Sequence, residues 1–476
     1  MSLRSKLAEL AGLLALKAVR FGPGMGRSFP GWTVIKVGDF DAVRELARRP
    51  EYGVVLITGT NGKTTTTRLA CALLAEDAKV SCNYDSNTIN AVTTGLLKGR
   101  KAELVVTEYG IRSREYGIPD IVCELVNPLA IAYTTISKEH FRENADKEDP
   151  FGAYFEAKRL LARPLKDGVL ILNADDPRVT YIRDEKRGDP VEYVFYGLDV
   201  EIEDLTPPTE KLECPACGGE LNYETRYFNH KGLYSCRDCE FSRPDPNVAV
   251  VRLKGGPDEW KVTLSYDVTN AVTGERLEGE FTYELQLPGL HNVYNSVCAI
   301  SLYLAVTPRP EDPEGTIPRV IEGLDPLEFI PPGRFEVLNV GGKPVGVGQG
   351  DNGDAFKANA NLMLSVAGNV EVCVYTTPDE NEHPIFEMHR IVLRALDPDE
   401  LHVFPGRESV EAAEGYYEEL TEEFDAEFHS IPHDRMREKV EEMRRVCEEA
   451  DGPVFASGCG PEHEMWEALK RELRGG

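Results

Sequence analysis

The residues with the clearest chemical pattern form the run Gly59-Thr60-Asn61-Gly62-Lys63-Thr64-Thr65. Apolar residues before it predict a buried strand, and Thr64–Leu74 after it predicts a helix. A tight turn between strand and helix directs backbone N–H groups and the positive end of a helix dipole at one point, which suits a polyphosphate. Lys63 would neutralise the terminal phosphates, and the Thr64 hydroxyl would ligate Mg²⁺. The run therefore predicts a nucleotide phosphate-binding loop, with an ordinary turn as the alternative.

A second group of residues has the spacing of a metal site. Two C-x-x-C pairs are separated by eighteen residues and contain Cys214, Cys217, Cys236 and Cys239. Four thiolates in this pattern typically hold one tetrahedral Zn²⁺, and such a closed site is structural because it leaves no position for a substrate. Two redox dithiols are the alternative. The pattern predicts a zinc ribbon inserted at about 206–246.

The elements that would position these groups alternate between strand and helix patterns. Within 53–205 the clearest strands are Val54–Ile57, Leu104–Thr107, Ala130–Thr134 and Val169–Leu172. Such alternation predicts a parallel sheet with helices on both faces. After the insertion, strand patterns resume at Ala249–Leu253 and Lys261–Tyr266, and a helix is predicted from about Val293 to Val306. The proline-rich stretch Pro308–Pro332 is predicted to be a linker.

A second α/β pattern begins at Phe335, with further strands predicted at Pro344–Val347, Val370–Tyr375, Glu400–Phe404 and Val454–Ala456. The predicted fold class is therefore α/β with three parts. Residues 1–52 form a short helical lead-in, and residues 53–332 form an ATP-binding central domain that carries the ribbon. Residues 333–476 form a C-terminal Rossmann-like α/β domain.

Composition limits the partners. The formal charge of −28 argues against a broad nucleic-acid-binding face, and also against an anionic membrane as the main partner. The sequence has no apolar stretch long enough to cross a membrane. Leu3–Val19 predicts an amphipathic helix that either packs on the protein or makes a peripheral membrane contact. The eleven cysteines, mostly single, suit a reducing cytoplasm better than a disulfide framework.

The compressed loop Gly59–Thr65 resembles that of the Mur ligase superfamily of ATP-dependent amide-forming enzymes. Further matches follow in order along nearly the whole chain. They are Glu108, the run Thr134–Phe141 with His140, the A-K pair with Lys158, the turn Asn173-Ala174-Asp175-Asp176-Pro177, the helix start Pro288–Asn295 and the hinge Pro332–Glu336.

The resemblance implies roles for particular residues. It implies catalytic roles for Lys63, Glu108, His140 and Lys158, with Thr64 and the last three as Mg²⁺ ligands. Lys158 would act after carbamylation by CO₂, which converts a cation into an anionic oxygen ligand. ATP would be contacted by Gly59, Thr60, Asn61, Gly62, Lys63, Thr64, Thr65, Asn173, Asp175, Asn292, Asn295 and Arg334.

Two features resemble one branch of the superfamily, the ligase subunit of lipid II isoglutaminyl synthase. These are the early position of the phosphate loop and the four-cysteine insertion. The chain departs from that branch by keeping His140 and Lys158 and by lacking a D-G-R-D-x-S-W run, to which Thr377–Glu380 is the nearest segment. This mixture is similar to the pseudomurein peptide ligases of methanogens.

The resemblance implies an enzyme that activates a carboxylate as an acyl phosphate and joins it to an amine. The acceptor would be a nucleotide- or lipid-linked cell-wall peptide precursor and the amine an amino acid. Three alternatives remain open: an amidotransferase subunit using ammonia from a separate glutaminase, a folylpolyglutamate-type ligase, and a non-catalytic ATP-regulated zinc scaffold.

Overall fold

Two β-sheets with flanking helices and one small ribbon form the architecture of the computed structural model. It describes residues 2–19, 27–84, 86–186, 188–256, 259–329, 332–407, 409–460 and 463–475. We call residues 53–329 the central unit and residues 332–475 the C-terminal unit. The ribbon is an insertion in the central unit.

The strands in chain order are β1 (Gly53–Thr58), β2 (Val80–Asn83), β3 (Leu104–Glu108), β4 (Ala130–Tyr133), β5 (Val169–Asn173), β6 (Glu192–Leu198), β7 (Leu221–Phe228), β8 (Lys231–Cys236), β9 (Val248–Gly255), β10 (Trp260–Thr269), β11 (Arg276–Leu285), β12 (Glu336–Val340), β13 (Lys343–Gln349), β14 (Val372–Thr376), β15 (Glu400–Phe404), β16 (Ala426–Phe428) and β17 (Val454–Gly458).

The α-helices in chain order are α1 (Leu3–Val19), α2 (Phe29–Ala47), α3 (Lys63–Asp77), α4 (Ile89–Lys98), α5 (Arg114–Gly117), α6 (Pro119–Val126), α7 (Pro150–Leu160), α8 (Pro177–Tyr181), α9 (Leu290–Val306), α10 (Pro313–Glu322), α11 (Pro326–Phe329), α12 (Gly353–Ala367), α13 (His383–Leu396), α14 (Val410–Leu420), α15 (Met436–Glu449) and α16 (Glu464–Gly475).

The central sheet has nine strands in the order β11-β10-β9-β6-β5-β4-β1-β3-β2. In this order, every neighbouring pair between β9 and β2 is parallel, as the sequence predicts for residues 53–205. Alternate residues of β1 enter different cores, since Val55 and Ile57 belong to one hydrophobic cluster whereas Val54 and Leu56 belong to the other. Helices therefore cover both faces, which explains the continuous apolar runs.

Antiparallel strands extend the predicted parallel sheet of residues 53–205 at one edge. Strands β9, β10 and β11 pair antiparallel and form a meander that extends the sheet. The chain reverses after β10 at Asn270–Gly274, where the Asn270 side chain accepts backbone N–H bonds from Val272 and Thr273. Alternating exposed and buried residues along β11 fit a strand that is covered on one face only.

The predicted linker Pro308–Pro332 contains helical structure. Helix α10 begins after Asp312, whose side chain accepts the Gly315 N–H, and Pro313 occupies the first turn, where its missing N–H costs nothing. Ile317, Val320 and Ile321 are buried in the central core. Proline content alone misleads here, because proline is compatible with a helix start and these apolar residues are spaced for one helix face.

Helix α1 is built with its large apolar residues facing outward. Small residues, namely Ser5, Ala8, Gly12 and Ala15, form its buried face, and α1 packs closely against α2. The exposed fractions of the leucines are 77% for Leu3, 54% for Leu7, 56% for Leu10 and 59% for Leu14. Packing on the protein therefore accounts for the small residues of α1 and for Leu13, but not for these four exposed leucines.

The C-terminal sheet has the order β12-β13-β17-β14-β15-β16 and is parallel except for the β12–β13 hairpin. All four strands predicted beyond Phe335 are present. Two hydrophobic clusters cover its faces, one under α12 to α14 and the other under α15 and α16.

One disulfide joins Cys71 in α3 to Cys82 in β2, and the other nine cysteines are free. One bond among eleven cysteines is not a disulfide framework, but the sequence does not predict this pair. The two residues are eleven apart in sequence, but the turn between α3 and β2 brings their Cα atoms to 6.3 Å. A bond of this kind depends on tertiary geometry, which cysteine spacing does not reveal.

Candidate active site

The loop between β1 and α3 has the geometry of an anion-binding turn. Gly59 and Gly62 have φ values of 148° and 84°, and α3 begins at Lys63. A β-carbon at Gly59 would lie 1.9 Å from the Thr134 hydroxyl oxygen, and one at Gly62 would lie 2.2 Å from the Asn295 carboxamide oxygen. Both glycines are therefore required by backbone conformation and by close approach.

Lys63 and Thr64 project from the first turn of α3. The Lys63 ammonium donates hydrogen bonds to the carbonyl oxygens of Gly59 (3.1 Å) and Thr60 (2.7 Å). Burial lowers the pKa of Lys63, and the nearby carboxylates of Glu139 and Glu108 oppose that shift. The Thr64 hydroxyl donates to Glu108 Oε2 at 2.7 Å. The structure thus brings together the hydroxyl and carboxylate that the sequence predicts as Mg²⁺ ligands.

Lys158 is buried beneath the same loop. It lies in α7, and its Nζ donates to the Gly59 carbonyl oxygen at 2.8 Å, with the Thr58 hydroxyl at 3.5 Å. Burial lowers the pKa of Lys158 well below its usual value, and the positive charge of Lys63 lowers it further. This environment favours the neutral amine, which is the form that reacts with CO₂.

His140 lies in the turn after β4 with a φ of 60°. Its Nδ1 is 3.2 Å from Glu143 and its Nε2 is 3.6 Å from Glu139. The His140 ring meets the Tyr154 ring edge-on at 5.1 Å between centroids, and the Lys158 Nζ lies 5.3 Å from the centroid of the Tyr154 ring. His140 and Lys158 therefore share one neighbour.

Glu139 and Tyr154 were missed as site residues by the sequence analysis. The Glu139 carboxylate acts electrostatically on Lys63, Lys158 and Arg334. The Tyr154 hydroxyl lies 2.8 Å from the Thr60 hydroxyl. Glu139 stands next to His140 in the predicted run and offered a signal, whereas Tyr154 depends on how α7 packs under the loop.

A largely apolar cavity opens beside the loop, between the central and C-terminal units. Seven of the predicted ATP contacts line it: Asn61, Gly62, Thr65, Asn173, Asn292, Asn295 and Arg334. Its other walls include His291, Tyr294, Phe228, Phe335 and Leu362. An apolar cleft with a few convergent amide groups and two cations, Lys231 and Arg334, has the composition of a nucleotide site.

The amide side chains of this cavity are held in place by neighbours. Asn173 donates to the Thr134 carbonyl oxygen at 3.2 Å. Asn292 donates to the Pro288 carbonyl oxygen at 2.7 Å and accepts from Asn295 at 3.0 Å. These contacts orient the carboxamides before any ligand is present.

Asp175, which is predicted as an ATP contact, is held by neighbouring groups of the protein. Its carboxylate is fully buried and accepts hydrogen bonds from Arg243 Nε (2.7 Å), Tyr294 OH (2.8 Å) and the Leu198 N–H (2.9 Å). All three partners belong to the protein, so Asp175 braces the wall that carries Tyr294.

Arg334 reaches the cavity from the segment that connects the two units. Desolvation lowers the pKa of its guanidinium, and the carboxylates of Asp351, Glu139 and Glu108 oppose this shift. Arg334 remains a solvent-accessible cation in the wall of the cavity beside the phosphate loop. The segment Gly350–Asp354 of the C-terminal unit also reaches this boundary, where Asn352 donates to the Asn61 carboxamide oxygen at 3.3 Å.

The tip of the ribbon hairpin also reaches this boundary. Lys231 Nζ lies 2.9 Å from Asp354 Oδ2, and Asp354 also accepts from Ser137 and Asn229. Burial raises the pKa of Asp354, but Lys231 and His230 hold it well below its usual value. Phe228 and Lys231 line the cavity. The sequence analysis missed this contact because cysteine spacing does not reveal where the hairpin tip lies.

The four predicted cysteines converge at the opposite end of the ribbon. Their sulfur atoms all lie within 4.8 Å of one another, with separations of 3.8 Å for Cys214–Cys239 and 3.5 Å for Cys217–Cys236. Four sulfurs bound to one tetrahedral ion at about 2.3 Å would be about 3.8 Å apart. The cluster therefore has the size and chemistry of a closed metal site.

Comparisons with known proteins agree with this geometry. The family model of the Mur ligase middle domain matches residues 57–215. The MurT subunit of lipid II isoglutaminyl synthase (glutamine-hydrolyzing) from Streptococcus pneumoniae is 27% identical over 305 residues, which cover 62% of each chain. The chain thus spans about three fifths of that relative's length.

Solved structures share the fold over most of the chain. A pseudomurein peptide ligase type C from Methanothermus fervidus aligns with a TM-score of 0.66 and 21% identity, covering 90% of this chain and 80% of that chain. MurF from Acinetobacter baumannii aligns with a TM-score of 0.62 and 17% identity, covering 92% and 79%. The chain is therefore similar to Mur ligases in sequence over its middle part, residues 57–215, and in fold over most of its length.

Proposed function

We propose that this protein is an ATP-dependent carboxylate–amine ligase that forms an amide bond through an acyl phosphate. The observation that carries the proposal is the convergence of Lys63, the Thr64–Glu108 pair and buried Lys158 on the Gly59–Thr65 loop. A scaffold that only binds ATP needs no buried lysine of lowered pKa under its phosphate loop, so this convergence favours catalysis over the scaffold alternative.

Two sets of ligands fit Mg²⁺. Thr64 and Glu108 would hold one ion, and His140 with carbamylated Lys158 would contribute to a second. Bound Mg²⁺ would neutralise charge on the phosphates. Lys63 would release its two loop carbonyls and turn to the γ-phosphate, where its charge stabilises phosphoryl transfer to the acceptor carboxylate. The amine then attacks the acyl carbon, and phosphate leaves with the bonding electrons.

Contacts across the boundary support a closing role for the C-terminal unit. Asn352 contacts Asn61 in the loop, and Arg334 approaches from the connecting segment. Closure of this kind would exclude water, which would otherwise hydrolyse the acyl phosphate. We place the boundaries of the working parts at 1–52, 53–332 and 333–476, with the hinge near Gly333.

The substrates follow from the relatives and are part of the proposal. We propose a nucleotide- or lipid-linked cell-wall peptide of the pseudomurein type as acceptor and an amino acid as the amine. A second candidate is an amidotransferase subunit supplied with ammonia by a separate glutaminase, which the similarity to a MurT subunit supports. Turnover with glutamine only when a glutaminase is added would favour the second candidate.

The cysteine cluster is proposed to hold one structural Zn²⁺, since four thiolates at these separations suit that ion. Its role would be indirect, because it stiffens the ribbon whose other end carries Lys231. Thiolates that remain reduced, and a supply of ATP, are found together in the cytoplasm, where we propose that the protein works.

A peripheral membrane contact fits the outward leucines of α1. Among the described residues, no helix has the length and apolar content needed to span a membrane. The leucine row is accompanied by Arg4, Lys6 and Lys17 on the same helix, and Trp32 and Phe29 of α2 are also partly exposed. Cations beside an apolar row complement an anionic lipid surface, although the chain as a whole is acidic. A lipid-linked acceptor would be met there.

The decisive experiment is ATP-dependent phosphate release, screened over amino acids, ammonia and glutamine with nucleotide- and lipid-linked peptides. We expect release that requires both an acceptor peptide and an amine, with a product heavier by the amine minus water in mass spectrometry. Phosphate release that is independent of any acceptor, or none with any pair, would contradict the ligase proposal.

A further inference from the structure

Two histidines and a glutamate meet at the outer edge of the C-terminal sheet, far along the chain from the motifs described above. His402 lies in β15, and Glu427 is its register partner in the edge strand β16. His429 follows β16 directly, and its N–H donates to the Val403 carbonyl oxygen at 2.9 Å. His429 is buried, His402 is largely covered and Glu427 faces solvent.

The inner atoms of these side chains are spaced as metal ligands are. His402 Nδ1 and His429 Nε2 are 3.0 Å apart, and Glu427 Oε2 is 3.6 Å from His402 Nδ1. The three donor atoms lie within 4.8 Å of one another. Around a tetrahedral ion with bonds of about 2.0–2.1 Å, neighbouring donors are separated by about 3.4 Å. Small side-chain movements would therefore place all three on one ion.

The outer atoms of both rings face carboxylates. His402 Nε2 is 3.5 Å from Glu400 Oε2, and His429 Nδ1 is 3.3 Å from Glu442 Oε1. Carboxylates on the far nitrogen fix the tautomer and orientation of metal-binding histidines. The His429 ring also stacks on Phe404, with 4.3 Å between centroids and 4° between planes. Each ring is thus held with one nitrogen directed at the shared point.

We propose that His402, Glu427 and His429 form a binding site for a divalent transition metal of the zinc class, separate from both the phosphate loop and the cysteine cluster. Two imidazoles and one carboxylate suit Zn²⁺ and leave a fourth position for water. The ion would join β15 to β16, an edge strand of three residues, and through Glu442 to α15. Its role would be to secure this edge.

A second histidine–glutamate group offers an internal control. His383, Glu387 and Glu419 also lie close together, but Arg390 Nη1 is 3.2 Å from Glu387 and 3.4 Å from Glu419. A guanidinium already neutralises these carboxylates and would repel a cation. His383 is exposed, and its ring lies beside Phe386 and Tyr416 at 5.7 Å and 6.0 Å between centroids, so its replacement removes a histidine at a small cost in packing.

The test uses the full-length protein, freed of metal by a chelator and titrated with Co²⁺ as the probe. Cobalt bound by the cysteine cluster gives thiolate charge-transfer absorption, whereas cobalt bound by His402, Glu427 and His429 gives only d–d bands. We expect two equivalents in the wild type, and loss of the component without thiolate absorption in His402→Ala. Glu427→Gln should weaken this component at least 10-fold, and His383→Ala should retain it.

Zinc content provides the second measurement. After equilibration with excess Zn²⁺ and gel filtration, the wild type should hold about two ions per chain, and both His402→Ala and Cys214→Ser about one. Glu427 is exposed, so Glu427→Gln keeps the test valid should His402→Ala misfold. Binding of one cobalt equivalent by the wild type would overturn the proposal. So would binding of two cobalt equivalents with unchanged spectra by folded Glu427→Gln and His402→Ala variants. The two histidines would then be only a hydrogen-bonded pair.

Discussion

The phosphate loop and the boundary between the two units differ in how their side chains are held. Lys63, Glu108 and Lys158 all belong to the central unit. Glu108 at the end of β3 contacts Thr64, the neighbour of Lys63, and Lys158 in α7 contacts Gly59 after β1. The boundary contact between Lys231 and Asp354 instead joins the ribbon to the C-terminal unit. The side chains at the phosphate loop are thus preorganised on rigid elements. The contact between Lys231 and Asp354, in contrast, forms only when the two units are together.

We therefore expect the loop to determine the rate of the chemical step. We expect the boundary to determine how strongly nucleotide binding is coupled to closure of the two units. Variants in the loop should reduce turnover strongly with little effect on the fold. Variants at the boundary should act more weakly and mainly through binding.

The largest expected effect comes from Lys63→Ala. Among the residues that the structure describes, its ammonium donates hydrogen bonds to the carbonyl oxygens of Gly59 and Thr60, so its loss removes a phosphate-neutralising charge and no core packing. We expect turnover to fall by about 10³-fold, the scale for loss of one transition-state charge partner. Steady-state phosphate release measures this, with the exposed Lys101→Ala as control. Wild-type turnover in a folded Lys63→Ala would remove this lysine from the mechanism.

Lys158→Ala should reduce activity somewhat less, by about 10²-fold, through loss of an oxygen ligand made by carbamylation. A short carboxylate such as acetate should restore part of it. Lys158→Arg should not be rescued, because a guanidinium remains cationic. Wild-type enzyme in CO₂-depleted buffer should lose activity and regain it with bicarbonate.

The outcome of Lys158→Arg decides between two roles for this buried lysine. Full activity in that variant would mean that Lys158 serves as a positive charge under the Gly59 carbonyl, and the second metal site would be wrong. Insensitivity of the wild type to bicarbonate would point the same way.

Cys214→Ser should act on stability more than on chemistry. Loss of one of four thiolates should release one Zn²⁺ per chain, detected by metal analysis, and lower the midpoint of thermal unfolding. Turnover should fall only to the extent that the ribbon tip, which carries Lys231, is displaced. Unchanged zinc content with unchanged thermal stability would exclude a metal-holding ribbon.

Lys231→Met sharpens the comparison at the boundary. Removal of this ammonium leaves the carboxylate of Asp354 buried beside Ser137 and Asn229 without its cation. We expect the Kd for a non-hydrolysable ATP analogue to rise about 10-fold, which corresponds to about 1.4 kcal/mol. The double variant Lys231→Met/Asp354→Asn should recover part of this loss. Additive losses would mean that the pair is not coupled.

The sequence predicted the loop side of this comparison far better than the boundary side. The run Gly59–Thr65 is recognisable from its own pattern, and Glu108, His140 and Lys158 are predicted because they stand in ordered motifs that resemble those of a known family. Asp354, Lys231 and Tyr154 meet their partners only through tertiary packing, and Asp175 faces Arg243, Tyr294 and the Leu198 N–H for the same reason. Sequence patterns identify groups that lie at the ends of neighbouring strands and helices, but they do not reveal contacts between segments that are distant in sequence.

The same limit explains the errors in the fold. Proline content predicted a linker where Asp312 and Pro313 begin helix α10, since proline marks helix starts as well as breaks. The apolar patterns of β9 to β11 do not reveal strand direction, because direction depends on the connections. The short turn at Asn270–Gly274 returns the chain antiparallel after β10.

The smallest expected effect concerns the N-terminal helix. Leu7→Gln/Leu10→Gln changes two exposed leucines, so the midpoint of thermal unfolding and turnover on a water-soluble acceptor should be unchanged. Cosedimentation with phosphatidylcholine vesicles that contain phosphatidylglycerol should fall several-fold, because apolar area and nearby cations act together in such binding. Pure phosphatidylcholine vesicles should bind the wild type more weakly.

A matched variant separates the apolar and electrostatic parts of this contact. Lys17→Glu keeps the leucine row and reverses one charge near its end, so it should reduce binding to anionic vesicles and leave weak binding to neutral ones unchanged. Salt should weaken the anionic component in the wild type, since exposed charges are screened over about 10 Å at 0.1 M. If the double leucine variant instead changes the oligomeric state and vesicle binding is absent from the wild type, the leucines contact a second copy of the chain. The boundary between the units would then be unaffected, because α1 packs against α2 through its small-residue face, and these two leucines are exposed.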